Sequence, residues 1–126
     1  MLGFWIFMLF MDLLIPLMMI GIGRLFMKRP PKRINGIYGY RTKRSMKTQE
    51  TWEFAHRYFG NLWFRLGLVL IPLSALPLIF VYGKDIDLIG IVGTVVTLVQ
   101  IVLMIVPVFP TERALKENFD EYGKPL

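Results

Sequence analysis

The sequence contains no cysteine, so it can form neither a disulfide framework nor a thiolate metal site, and its single histidine, His56, has no second imidazole with which to share a metal. Zinc and thiol redox chemistry are excluded, and no cofactor is expected. A Ser/His/Asp arrangement, an HExxH motif and paired carboxylates within one segment are all missing, as are the phosphate-cradling patterns GxGxxG and GxxxxGK. These absences disfavour an enzyme. Internal repeats and a second domain are also lacking, so residues 1–126 read as one unit.

What the sequence has in excess is apolar length. Of 126 residues 55% are hydrophobic, the mean hydropathy is +0.52, and the apolar runs are too long for the core of so small a soluble domain. Three segments, about 2–26, 61–82 and 88–109, reach the roughly 20 apolar residues that a bilayer crossing requires. The fold class is therefore an all-α membrane protein with three transmembrane helices. The first run has no basic region before it and no small-x-small cleavage site, so it is expected to be a retained span and not a signal peptide. The net charge of +6 would suggest nucleic acid in a soluble chain, but here the cations flank the spans, and no nucleic-acid partner is expected. Between Arg24 and Arg65 there are 11 Lys and Arg against two acids, Glu50 and Glu53, whereas the link 83–87 has one Lys and two Asp. The positive-inside rule then puts the long basic loop and the tail 111–126 in the cytoplasm and the N-terminus outside.

The loop 28–60 is unusually specific in its chemistry. Pro30 and Pro31 end the first helix, since proline clashes with the preceding turn and biases its predecessor toward extended geometry. Asn35-Gly36 is a tight-turn signal, Gly39 makes positive φ or close backbone approach cheap, and Ser45 can cap a helix. From Met46 the pattern turns helical. Trp52, Ala55, His56, Phe59 and Trp63 share one face, while Glu50, Glu53 and Arg57 lie opposite, with Glu53 and Arg57 at a favourable i,i+4 spacing. A cytoplasmic amphipathic helix between spans one and two follows, along the membrane interface or under the bundle, with Trp52 as an interfacial anchor. In the tail, Leu115, Phe119 and Tyr122 recur at helical spacing and predict a short surface helix.

Faces can also be read within the spans. Trp5, Met8, Asp12, Pro16, Met19 and Gly23 align on a 3.6-residue wheel, a stripe expected to face protein. An acid at the centre of a span costs about 2.5–3.5 kcal/mol on insertion scales, which favours pairing, protonation or a wet cavity. Pro16 leaves the carbonyl of Asp12 without its helical donor, so backbone and side chain are unsatisfied at one level. Gly60, Gly67 and Ser74 repeat every seven residues in span two, and Gly90, Gly93, Thr94, Thr97 and Gln100 share a narrow face in span three. Small residues permit close helix contact, and Thr and Gln can bond across it. Pro72 and Pro77 are expected to bend span two and to free the carbonyls of Leu68 and Leu73.

The run Asn35, Tyr38, Gly39, Arg41, Thr42, Ser45, then Trp52, Ala55, His56, Arg57 and Gly60, immediately before a span, resembles the signature of the SdpI family of bacterial membrane proteins. The resemblance covers about residue 35 to the end of the third span. It implies a bacterial cytoplasmic membrane location and immunity to, or signalling about, a secreted peptide toxin that attacks the membrane. The expected partners are membrane lipids, such a peptide and a second copy of the chain. Asp12, Asn35, Tyr38, Gly39, Arg41, Thr42, Trp52, His56 and Arg57 are the candidate binding residues. Asn35, Gly39 and the tyrosines shape the loop, and Arg41 holds it to the bundle or to a bound acidic group, its guanidinium suited to a carboxylate or phosphate. His56 reads as a hydrogen-bonding residue and not as a base, because nothing near it supplies a nucleophile or an orienting acid. Lys43, Arg44 and Lys47 read as topogenic cations touching anionic lipid. Asp12 has Arg24, Arg41 and Arg65 as candidate counter-ions. Two other readings stay open: a transporter-like or lipid-handling unit that works as an oligomer, with Asp12, Thr97 and Gln100 as a polar path, and a structural subunit of a membrane complex.

Overall fold

The computed structural model describes residues 2–126. The apolar runs form α1 (Leu2–Lys28), α2 (Gln49–Phe80) and α3 (Ile86–Ile105), followed by α4 (Val108–Asn118). Three helical stretches, Leu2–Lys28, Gln49–Phe80 and Ile86–Asn118, are long and apolar enough to cross a membrane. Among the described residues there is no strand, only an isolated bridge between Phe119 and Pro125.

The closest seam is between α1 and α2. A Cβ on Gly23 would lie 2.6 Å from the carbonyl oxygen of Gly60, and one on Gly60 would lie 2.6 Å from that of Gly23, so the two backbones touch where both residues lack a side chain. The glycine and serine stripe of α2 continues this seam, with Gly67 against Pro16 and Ile20. The stripe anticipated on α1 is the buried one: Asp12, Pro16, Met19, Gly23 and Phe26 are its buried residues, whereas Phe7, Phe10 and Leu17 are exposed and would meet lipid. At the end of the bundle bearing the first residues of α1, Leu78, Val81 and Ile89 form a small apolar cluster with Phe4, Trp5 and Met8 against it. Trp5 Nε1 donates to the carbonyl of Leu78 at 2.7 Å.

Four boundaries differ from the sequence expectation, each for a local reason. The amphipathic helix and the second span are one helix of 32 residues, because Gly60 serves the contact with α1 and breaks nothing. At 1.5 Å per residue α2 is about 48 Å long, against roughly 30 Å of hydrocarbon, so its first turns project beyond the membrane. The helix is capped by Thr48 and not by Ser45: Thr48 accepts from the amide of Thr51, and the Thr51 hydroxyl receives the amide of Thr48. The Ser45 hydroxyl is occupied in the loop, accepting from the amide of Thr42 and donating to the carbonyl of Tyr40. The helix α3 ends at Ile105, ahead of Pro107, and the Trp63 indole reaches across to the carbonyl of Met104 at 3.1 Å. In the tail, the helix lies back against α2: Leu115 is buried with Phe26, Tyr40, Ala55 and Phe59, and Phe119 meets Phe54 edge-on, but Tyr122 is exposed.

Candidate functional site

Two polar constellations stand out, one in the cap where the loop, the start of α2 and α4 meet, the other inside the bundle. In the cap, Asn35 builds the first turn, its Oδ1 accepting from the amides of Ile37 and Tyr38 while Nδ2 donates to the carbonyl of Arg33. The chain then passes over α2 at Gly39, whose φ of +115° suits glycine and whose missing Cβ would sit 2.5 Å from His56 Nε2 and 3.2 Å from the Trp52 ring. Only with this close approach can the amide of Tyr40 donate to His56 Nε2 at 2.8 Å.

That bond fixes the state of His56. A backbone amide can only donate, so Nε2 carries no proton, and Nδ1–H donates to the carbonyl of Trp52 at 2.7 Å. The imidazole is a neutral, fully buried bracket between loop and helix, consistent with its reading as a hydrogen-bonding residue. Its partner Trp52 departs from the expectation of an interfacial anchor. It is fully buried under the loop, 4.3 Å from the His56 ring by centroid, with Nε1 donating to the carbonyl of Pro31 at 2.7 Å.

Tyr40, which sequence reasoning did not separate from Tyr38, is the buried one of the pair; Tyr38 is exposed. Its hydroxyl donates to Glu112 Oε1 on α4 at 2.7 Å. Burial, and secondarily the Glu112 carboxylate, push this hydroxyl well above the usual tyrosine range, so it stays a donor. Thr42 accepts from the amide of Ser45, and Thr48 donates to the carbonyl of Gly123, tying the tail to the loop. Arg41 and Arg57 are exposed. The Arg41 guanidinium donates to the carbonyl of Gly36 within its own loop, and Asp12 is met from α3 instead.

Inside the bundle Asp12 is 1% exposed, Ser74 1% and Gln100 1%. The carbonyl of Asp12 receives Gln100 Nε2 at 2.5 Å, and the same nitrogen donates to Ser74 Oγ at 2.7 Å, so one amide links three helices at the level freed by Pro16. Thr97 donates to Asp12 Oδ1 at 2.9 Å. Gly93 makes room beside them, since a Cβ there would overlap the Met8 methyl and come 3.5 Å from Asp12 Oδ2. Two oxygens, Asp12 Oδ2 and Gln100 Oε1, are buried with no hydrogen-bond partner among the described residues. Next to Ser74 and Gln100, an apolar cleft of about 410 Å³ opens between α2 and α3, walled by Leu70, Leu73, Val95 and Val99.

The cap and the two later spans coincide with the part of the chain that has recognisable relatives. The profile of the SdpI/YfhL protein family matches residues 32–111. The Bacillus subtilis (strain 168) protein YfhL, described as uncharacterized, is 46% identical over 59 residues, which make up 47% of this chain and 54% of the relative. The match thus spans about half the length of that curated relative. No solved structure matches.

Proposed function

From the chain's membership of the SdpI/YfhL family of membrane proteins, we propose that it is a bacterial immunity module that engages a secreted membrane-active peptide within the bilayer. The observation that carries the choice of surface is the cleft between α2 and α3. It is an apolar recess between two spans, and its walls are aliphatic where a peptide arriving through the membrane would need them to be. The cap does not open onto this cleft. Its role in the proposal is to hold the projecting end of α2, and hence the slope of one wall, through Gly39, Tyr40 and His56. The basic loop and the tail lie on the cytoplasmic side in this reading, and Arg41, free of the bundle, is the loop cation available to an acidic group of the partner.

A second reading, a lipid-handling unit, draws on the same cleft, because walls with so little polar surface also suit an acyl chain. In-membrane photocrosslinking separates the two. Photoreactive side chains at Leu73 and Val95, both about half exposed, are compared in the native host with one at Phe10, which is at least as exposed but does not line the cleft. Capture of a secreted peptide from positions 73 and 95 and not from 10 supports immunity by direct binding. Capture of lipid alone refutes it, and lipid captured more strongly from positions 73 and 95 than from 10 favours the lipid-handling reading.

A further inference from the structure

At the bundle centre no donor reaches Asp12 Oδ2 or the Gln100 amide oxygen. Gln100 turns Nε2 toward the carbonyl of Asp12, an orientation that is forced, because a carbonyl can only accept and a flipped amide would set oxygen against oxygen. The same Nε2 serves Ser74, and the one hydroxyl hydrogen of Thr97 lies between Asp12 Oδ1 and the carbonyl of Gly93. Left over are two acceptors, Asp12 Oδ2 and Gln100 Oε1, both wholly buried. The groups that meet Asp12 from α3 are Gly93, Thr97 and Gln100, and none is a cation. The arginines nearest in sequence to the bundle, Arg24 and Arg65, are exposed on the surfaces of α1 and α2.

We propose that Asp12, with Gln100 and Thr97, forms an intramembrane site for a single monovalent cation, a proton or sodium, held between Asp12 Oδ2 and the Gln100 amide oxygen. One positive charge satisfies both leftover acceptors and cancels the one carboxylate charge in the hydrocarbon layer. A water molecule would supply hydrogens but leave the charge, and a divalent ion would reverse its sign with no second acid to balance it. Oxygen-only ligands of the carboxylate, amide and hydroxyl types suit a hard cation and not a transition metal. Because the Gln100 amide also bridges α1 and α2, occupancy of this site sets the packing of all three spans. The inference stands on the bundle geometry and does not depend on the peptide-binding role.

The test uses the full chain in lipid nanodiscs at fixed ionic strength, comparing sodium with choline, with thermal unfolding and the infrared carbonyl stretch of a protonated carboxylic acid as readouts. A midpoint several degrees higher in sodium, absent in Asp12→Asn, identifies sodium as the ion. A sodium-independent midpoint, with a protonated-carboxyl band that disappears in Asp12→Asn, identifies a proton. Thr97→Val, which keeps the acid but removes the hydroxyl on Oδ1, is expected to weaken the sodium response or shift the band, and it serves if the Asn variant does not fold. An ionised carboxylate at neutral pH together with an absent sodium response overturns the proposal and makes Asp12 a hydrated structural residue.

Discussion

The cap and the bundle centre are both polar clusters within a chain that is 55% hydrophobic, yet they are completed differently. In the cap each buried polar side chain that joins loop to helix finds a partner: His56 accepts from Tyr40 and donates to Trp52, Ser45 bridges Thr42 and Tyr40, and Tyr40 reaches Glu112. In the bundle, no donor reaches Asp12 Oδ2 or Gln100 Oε1, and both stay unpartnered. A satisfied network rigidifies, whereas spare acceptors in a low-dielectric layer carry a desolvation cost that a bound cation would relieve. If the proposed cation site is correct, the cap is architecture and the bundle holds the chemistry, although the cap holds the residues that first draw the eye in the sequence.

The largest effect that would break this contrast is expected at Gly39. Gly39→Val combines a strained backbone with a collision against His56 and Trp52, so a loss of about 3 kcal/mol or more of stability is expected, read as a lower unfolding midpoint in detergent. Next is Gly60→Val, which drives a side chain into the backbone of α1 and should cost about 1–3 kcal/mol by the usual scale of overpacking. Its signature differs from that of the Gly39 variant: easier separation of α1 from α2, seen as faster proteolysis of the loop. A wild-type midpoint in both variants would show that neither close approach is maintained in the membrane.

Much of this was legible in advance because it follows from periodicity and from missing groups. The stripe Asp12, Pro16, Met19, Gly23 falls out of a helical wheel, and the freed carbonyl of Asp12 follows from Pro16 alone, so a donor at that level could be anticipated and Gln100 supplies it. The hydroxyl and amide on α3 were visible as a narrow polar face. What sequence could not give was partnership at long range. Tyr40 and Tyr38 are chemically alike, and only the turn made by Asn35 and Gly39 sends one inward to Glu112, 72 residues away. Trp52 carries the composition of an interfacial anchor, but the loop folding over it turns it into core. Arg41 has the chemistry of a partner-seeking cation, and its position depends on the closure of its own loop onto Gly36, which no spacing rule encodes.

The contrast is sharpened by smaller effects. His56→Ala leaves the amide of Tyr40 buried without an acceptor and should cost about 1–3 kcal/mol, while His56→Asn, able to offer an oxygen to that amide, should recover part of it, both measured by denaturant unfolding in mixed micelles. In the bundle, Ser74→Ala removes one of the two acceptors of Gln100 Nε2 but leaves the carbonyl of Asp12 in place, so a loss nearer ~1 kcal/mol is expected. A Ser74 loss larger than that at His56 would reverse the assignment and make the bundle network the principal brace.

The smallest stability change is expected at Arg41, and it is also the most informative. An exposed guanidinium bonded to one carbonyl of its own loop contributes little to folding, so Arg41→Ala should lower stability by less than about 1 kcal/mol. Function then becomes separable from folding at this position, which it is not at Gly39 or His56. If the peptide-binding reading is correct and Arg41 meets an acidic group of the partner, a normally expressed and normally stable Arg41→Ala protein should protect cells poorly, while Arg41→Lys, keeping the charge but not the planar fork, should protect to an intermediate degree. Full protection by Arg41→Ala would confine recognition to the apolar cleft and leave the loop as a brace for α2. A large stability loss would mean that closing the loop onto Gly36 is what lets the Tyr40 amide reach His56, and the cation that looked like a recognition element would be part of the cap's own architecture.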